Sequence, residues 1–268
     1  MFQAWVGGRP PPFVERCLAS VAAWARSRGF DYRLLGNGFL DVLPGWYRER
    51  LGSHIVQQTN LARLRCAREI LAEGADRAVW FDADVLVYAP DALTFDAPDG
   101  FALCREVWVQ PVGESHLPVY CVNQAVVVAD RGHPLLDYLI WAHETLVRDR
   151  PNNVRRFGTA TALLAAIHAA TPLPLVGNIA MLNPTMLREI ARGDAGPVTR
   201  DYVRRHGYST QAANLTLSML GASPGEDSAT EAEFDAAVDV LLATRGAPLD
   251  LARAYASAAS SAQSRGTR

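Results

Sequence analysis

Two aspartates separated by one alanine, Asp82-Ala83-Asp84, close the apolar run Ala78-Val79-Trp80-Phe81. Residues two apart on an extended segment project to the same side, so both carboxylates can face one crevice where the strand ends. Carboxylates that close together repel, and a site that keeps both ionised supplies a cation between them. Oxygen ligands suit Mg²⁺ or Mn²⁺, and either ion needs few protein ligands when a diphosphate fills its other positions. Such an ion bridges the diphosphate and stabilises charge on a leaving group. The same spacing also fits two solvated strand-end residues, so the surroundings decide.

The surrounding sequence predicts alternating strands and helices. Phe2 to Val6 reads as a strand broken by Gly7-Gly8-Arg9-Pro10-Pro11-Pro12, and Val14 to Arg28 as a helix ended by Gly29. Tyr32 to Leu35 reads as a second strand, Leu40 to Ile55 as a loop, and Thr59 to Glu73 as a helix with Gly74 near its cap. Further strands are expected at Phe101 to Cys104 and Asn123 to Val128, with helices at Pro134 to Arg148 and Gly158 to Ala170. This order predicts an α/β fold with a mixed, mainly parallel sheet flanked by helices. Ligands of such sheets gather at the carboxyl ends of the strands, where Asp82 and Asp84 lie.

Composition narrows the function classes. The chain has 268 residues and a net charge of -2, which argues against a broad nucleic-acid surface. All 26 basic residues are arginine, so lysine chemistry is excluded. No apolar stretch is long enough to span a bilayer, and the N-terminus does not read as a signal peptide. The 4 cysteines, Cys17, Cys66, Cys104 and Cys121, show no metal-ligand spacing and read as reduced structural residues, which makes the cytoplasm the expected location.

Beyond the aspartates, an ordered set of segments resembles the DXD-containing sugar transferases of the GT-A fold. That group includes Och1-like mannosyltransferases, capsular polysaccharide transferases and, more distantly, clostridial glucosylating toxins. The opening strand Phe2-Gln3-Ala4-Trp5-Val6-Gly7-Gly8 matches theirs, as does Asn60-Leu61-Ala62-Arg63 on a helix before the Asp-x-Asp strand. Asn123-Gln124-Ala125-Val126-Val127 followed by Gly132-His133-Pro134 matches a later strand and helix start, and Arg156-Phe157-Gly158-Thr159 a later turn. The resemblance covers about residues 2 to 170. It implies a catalytic domain over residues 1–221, with a nucleotide-sugar half (about 1–105) and an acceptor half (106–221). Residues 222–268 would form a helix at about Thr230 to Ala243 and a disordered tail.

The resemblance also implies roles. Trp5 would flank the nucleobase, with the backbone of Ala4 and Val6 pairing to it. Asp84 would be the main ligand of Mn²⁺ or Mg²⁺, and Asp82 would assist the metal and touch ribose or sugar. Arg63 would lie near the sugar or diphosphate, with Arg65 as its alternative, and Asn60 stands where the family has an acidic partner. Asn123, with Gln124 beside it, would sit near the reaction centre. His206 would supply a late metal ligand. The implied reaction moves a sugar from a UDP- or GDP-sugar to a hydroxyl of a small-molecule, glycan or peptide acceptor, with retention of configuration. A second copy of the chain is a candidate partner.

Two other readings compete. Phe81-Asp82-Ala83-Asp84-Val85-Leu86 also resembles the nucleophile strand of haloacid-dehalogenase-type phosphohydrolases, but the later acidic pair and the lysine those enzymes commonly use are missing. A catalytically silent sugar-nucleotide-binding protein would share the same cavity residues.

Overall fold

The computed structural model describes residues 1–95, 97–112, 115–149, 161–221 and 228–255, without the side chains of 110–112, 115 and 116. The expected turn Arg156-Phe157-Gly158-Thr159 and the expected disordered tail from residue 256 lie outside the described residues.

The chain opens with β1 (Phe2–Ala4) and α1 (Pro12–Ser27). Strand β2 (Arg33–Leu35), a 3-10 segment (Asn37–Val42), α2 (Gly45–Leu51) and α3 (Ile55–Ala72) follow. Strands β3 (Arg77–Phe81) and β4 (Val85–Val87) precede a long hairpin, β5 (Phe101–Val112) and β6 (Ser115–Asp130). Helices α4 (Pro134–Asp149) and α5 (Thr161–Ala170) lead to β7 (Leu175–Val176) and β8 (Ile179–Met181). The described part closes with α6 (Pro184–Ala191), α7 (Pro197–His206), β9 (Ala212–Asn214) and α8 (Glu231–Thr244).

The main sheet runs β2-β1-β3-β6-β5-β7. Strand β1 pairs in parallel with β2 and β3, and β5 with β7, while β6 is antiparallel to both β3 and β5. The expected mixed α/β sheet is therefore present. Alternate residues of β3 face opposite layers. Ala78 and Trp80 join the core shared with α3 and α4, whereas Val79 and Phe81 join the core shared with α1. That two-sided burial is why the segment reads as a continuous apolar run.

At Asp82 the chain leaves the main sheet. The Asp82 N–H still donates to Ala125 O on β6 at 2.8 Å, and a turn then delivers β4 to a second sheet of order β4-β9-β8. This sheet was not expected, because its three strands are only 3 residues each, too short to show an alternating pattern. The crevice at Asp82-Ala83-Asp84 exists because one chain segment divides itself between two sheets.

Several boundaries differ from expectation. The segment read as a loop over Leu40 to Ile55 holds α2, whose inward residues Tyr47 and Leu51 are only one turn apart, too short a repeat to register as helical. Helix α3 starts a turn early, at Ile55, because Ile55 and Val56 are exposed and add nothing to its apolar face. The two short strands expected at Phe101 and Asn123 are parts of the long hairpin, whose pairing slips at Leu103/Cys104 and blurs the alternation.

The C-terminal helix α8 belongs to the packed core. A capping box of Thr230 and Glu233 starts it, and Phe234 stacks on Phe13 of α1 at 4.5 Å between ring centroids. Phe234→Ala should cost about 3–5 kcal/mol of stability in urea denaturation. A loss under about 1 kcal/mol would mean that this helix does not contribute to the cooperative unit.

Candidate active site

The strand ends border a cavity of about 490 Å³, a size ordinary for a small-molecule site. Its wall includes Ala4, Trp5 and Val6 after β1, Asn60 and Arg63 of α3, and Asp82 and Asp84 at the end of β3. Asn123 and Gln124 of β6, Glu106 of β5 and the segment Asn214 to Ser218 complete much of it. Of the residues expected from sequence, all but His206 line this one cavity.

Asp82 is held from three directions. Its Oδ1 accepts from Trp80 Nε1 at 2.7 Å and pairs with Arg63 Nη1 at 2.9 Å, and its backbone oxygen accepts from Gln3 Nε2 at 3.0 Å. Arg63 is itself buried. It donates to Gln124 O at 2.6 Å and Thr59 O at 3.2 Å, and its guanidinium lies 5.2 Å from the Trp80 ring centre. Helical spacing puts Arg63 on the same side of α3 as Asn60. Arg65, the alternative, instead donates to Val42 O and pairs with Glu144, away from the cavity wall. Burial raises the Asp82 carboxyl above its usual range, and Arg63 and the Trp80 indole oppose that rise. With a permanent cation and a charge-assisted bond, Asp82 is the member of the pair that stays ionised.

Among the described residues no cation forms an ion pair with Asp84. Its Oδ1 accepts from Asn214 Nδ2 at 3.1 Å, its Oδ2 from the Leu217 N–H at 2.7 Å, and its carbonyl from the Leu215 N–H at 3.0 Å. Burial and then the Asp82 charge push its pKa up to about 6. The carboxylate is thus positioned by neutral donors and short of positive charge. That is a fitting ligand for a divalent cation. Among the described residues no three His, Cys, Asp or Glu side chains form a metal-ligating group, so those residues offer the two carboxylates here and no third ligand of that kind. Such a donor set fits Mg²⁺ or Mn²⁺ completed by phosphate oxygens and water better than a closed zinc site.

His206 stands apart from the other expected residues. It ends α7, is 1% exposed, and lies outside the cavity wall. Its ring stacks on Tyr202 one turn earlier, and its Nε2 lies 2.6 Å from Gly177 O. Burial lowers its pKa to about 4. The histidine is a packed helix end. The late element at the aspartates is the segment Asn214 to Leu217, which carries no ligand-type motif.

The Trp5 indole is partly exposed on the cavity wall. Its Nε1 donates to Gly8 O at 2.7 Å, and Gly7 takes φ +115°, a value only glycine adopts without strain. The loop backbone at Gly8 thus satisfies the polar edge of the indole, whose ring packs in part against the core shared with α1 and α8. Asn123 accepts from the Ala125 N–H at 2.9 Å and directs Nδ2 toward Met181 Sδ at 3.2 Å and Glu106 Oε2 at 3.4 Å. Gln124 contacts the buried His143 at 3.1 Å. Glu106 and Asn214 went unread in the sequence.

No protein-family model matches the chain, and no curated protein matches it. Among solved structures it is similar to a glycosyltransferase involved in the glycosylation of the major capsid of PBCV-1. The similarity has 12% identity and a TM-score of 0.41 over 89% of this chain and 98% of that one. The likeness is distant. No helix among the described residues is long and apolar enough to cross a membrane.

The raised Asp84 pKa has a measurable consequence. Between its ordinary 3.8 and about 6, the folded chain holds a proton that the unfolded chain has lost. This group therefore favours folding below pH 4, and that contribution disappears as pH rises through about 6. The wild type should gain up to about 3 kcal/mol relative to Asp84→Asn when pH is lowered from 7 to 4. Denaturation midpoints followed over that range check this, and parallel profiles for the two proteins would contradict it.

Proposed function

We propose that the chain is a GT-A-type glycosyltransferase that transfers a hexose from a UDP- or GDP-sugar to an acceptor hydroxyl with Mn²⁺ or Mg²⁺. The observation that carries this reading is the order of side chains across the strands. Trp5 follows β1, Asp82 and Asp84 end β3, and Asn123 lies on β6, in a sheet ordered β1-β3-β6. Neighbouring strands lie about 4.8 Å apart, so these groups are spread over roughly 10 Å. A nucleotide sugar presents base, diphosphate and sugar in the same linear order.

Each group has chemistry to match its place in that order. The Trp5 ring offers a stacking face for a base. Asp84, assisted by Asp82, would hold the cation, which when bound neutralises charge on the departing nucleoside diphosphate. Arg63 keeps Asp82 ionised and in place and adds a fixed positive charge beside the phosphates. Asn123 offers an amide of fixed orientation near the sugar. We read the transfer as retaining, as in the families the sequence resembles, with the acceptor entering on the face the diphosphate leaves.

Incubation with Mn²⁺ and a panel of UDP- and GDP-sugars should release nucleoside diphosphate from at least one of them. Asp84→Ala should lower that release by about a hundredfold or more, while Asp82→Asn weakens it and Trp5→Ala mainly raises KM. Phosphatase activity without sugar-nucleotide turnover would overturn the proposal, and binding without turnover would favour a silent sugar-nucleotide-binding protein.

A further inference from the structure

Glu106 is a third carboxylate in the cavity wall, and nothing so far gives it work. It lies on β5, paired in register with Cys121 of β6, so two strand spacings separate its strand from β3. Among the described residues the one hydrogen bond to it is the long 3.4 Å contact from Asn123 Nδ2, and no basic side chain pairs with it. It does not join Asp82 and Asp84 in a metal-ligating group. Burial pushes its pKa upward. An ionised carboxylate accepts about four hydrogen bonds, so most of its capacity is unused in a partly dry cavity.

Physical chemistry restricts what can use that capacity. A phosphate would be repelled, so the anionic part of a ligand belongs at the other end, by Arg63 and a bound cation. Hydroxyl groups suit the carboxylate, since each donates without adding charge. Beside it, Met181 lines the same wall and supplies an apolar surface. A hydroxyl acceptor next to an apolar surface suits a pyranose, which has hydroxyls at its rim and C–H groups on its faces. The strand order continues the sequence begun above: Trp5, then Asp82 and Asp84, then Asn123, then Glu106.

We infer that Glu106 is a specificity-determining residue that accepts hydrogen bonds from ring hydroxyls of the donor's sugar, an assignment that rests on the nucleotide-sugar reading above. It contacts neither the base nor the diphosphate. Its removal therefore weakens the sugar's contribution to binding and leaves the nucleotide's contribution intact.

Calorimetric titration of the full chain with Mn²⁺ and UDP, UDP-glucose, UDP-galactose, GDP or GDP-mannose tests this. The quantity to compare is the affinity of each nucleotide sugar divided by that of its own nucleoside diphosphate. Glu106→Gln and Glu106→Ala should lower that ratio about tenfold for the preferred donor, with UDP or GDP affinity held within about twofold, and Glu106→Asp should recover part of the loss. An unchanged ratio in both Gln and Ala variants, or equal losses for nucleotide and nucleotide sugar, would overturn the assignment alone. A wild-type protein that binds none of the five ligands would overturn the donor-site reading and this assignment together.

Discussion

The site depends on a buried guanidinium and a partly exposed carboxylate paired in the cavity wall. Arg63 of α3 reaches Asp82 at the end of β3 and Gln124 on β6, so one side chain joins a helix to two strands. Trp80 completes the arrangement by bonding Asp82 with its indole N–H, while Phe39 and Phe2 pack against its ring at 5.3 and 5.2 Å. A buried ion pair adds little net stability, because desolvation offsets most of the attraction. Removing one partner costs about 3–5 kcal/mol, because the other charge is stranded. The pair therefore fixes geometry. It also leaves Asp84 as an acid with no paired cation among the described residues.

The two sheets hold that acid in place. Asp84 sits where the chain passes from one sheet to the other, and Asn214 and the Leu217 N–H, in and just beyond β9, clamp its carboxylate. Neutral donors orient the acid without neutralising it, at some expense in stability near neutral pH. The hairpin of β5 and β6 extends the same wall away from the aspartates. The cavity thus runs from a partly exposed aromatic ring, past the acids, to Asn123 and Glu106.

What was legible in the sequence follows from what periodicity and residue type can encode. Asp82 and Asp84 stood at the end of a recognisable apolar strand, the family resemblance singled out Arg63, Trp5 and Asn123, and all five line the cavity. Glu106 was silent because a single glutamate after Cys104-Arg105 has no spacing partner, and its strand continues through a slipped register. Leu217 was illegible in principle, since its contribution is a backbone N–H. His206 was singled out by the resemblance alone, while its stack on Tyr202 and contact with Gly177 depend on packing that no local pattern reports.

The most direct measurement is anomalous diffraction at the manganese edge from crystals grown with Mn²⁺ and UDP or GDP. A peak within coordination distance of an Asp84 carboxylate oxygen and of the diphosphate, with Arg63 still paired to Asp82, is the predicted result. Manganese bound elsewhere, or a nucleotide in the cavity with no metal at Asp84, would contradict the account.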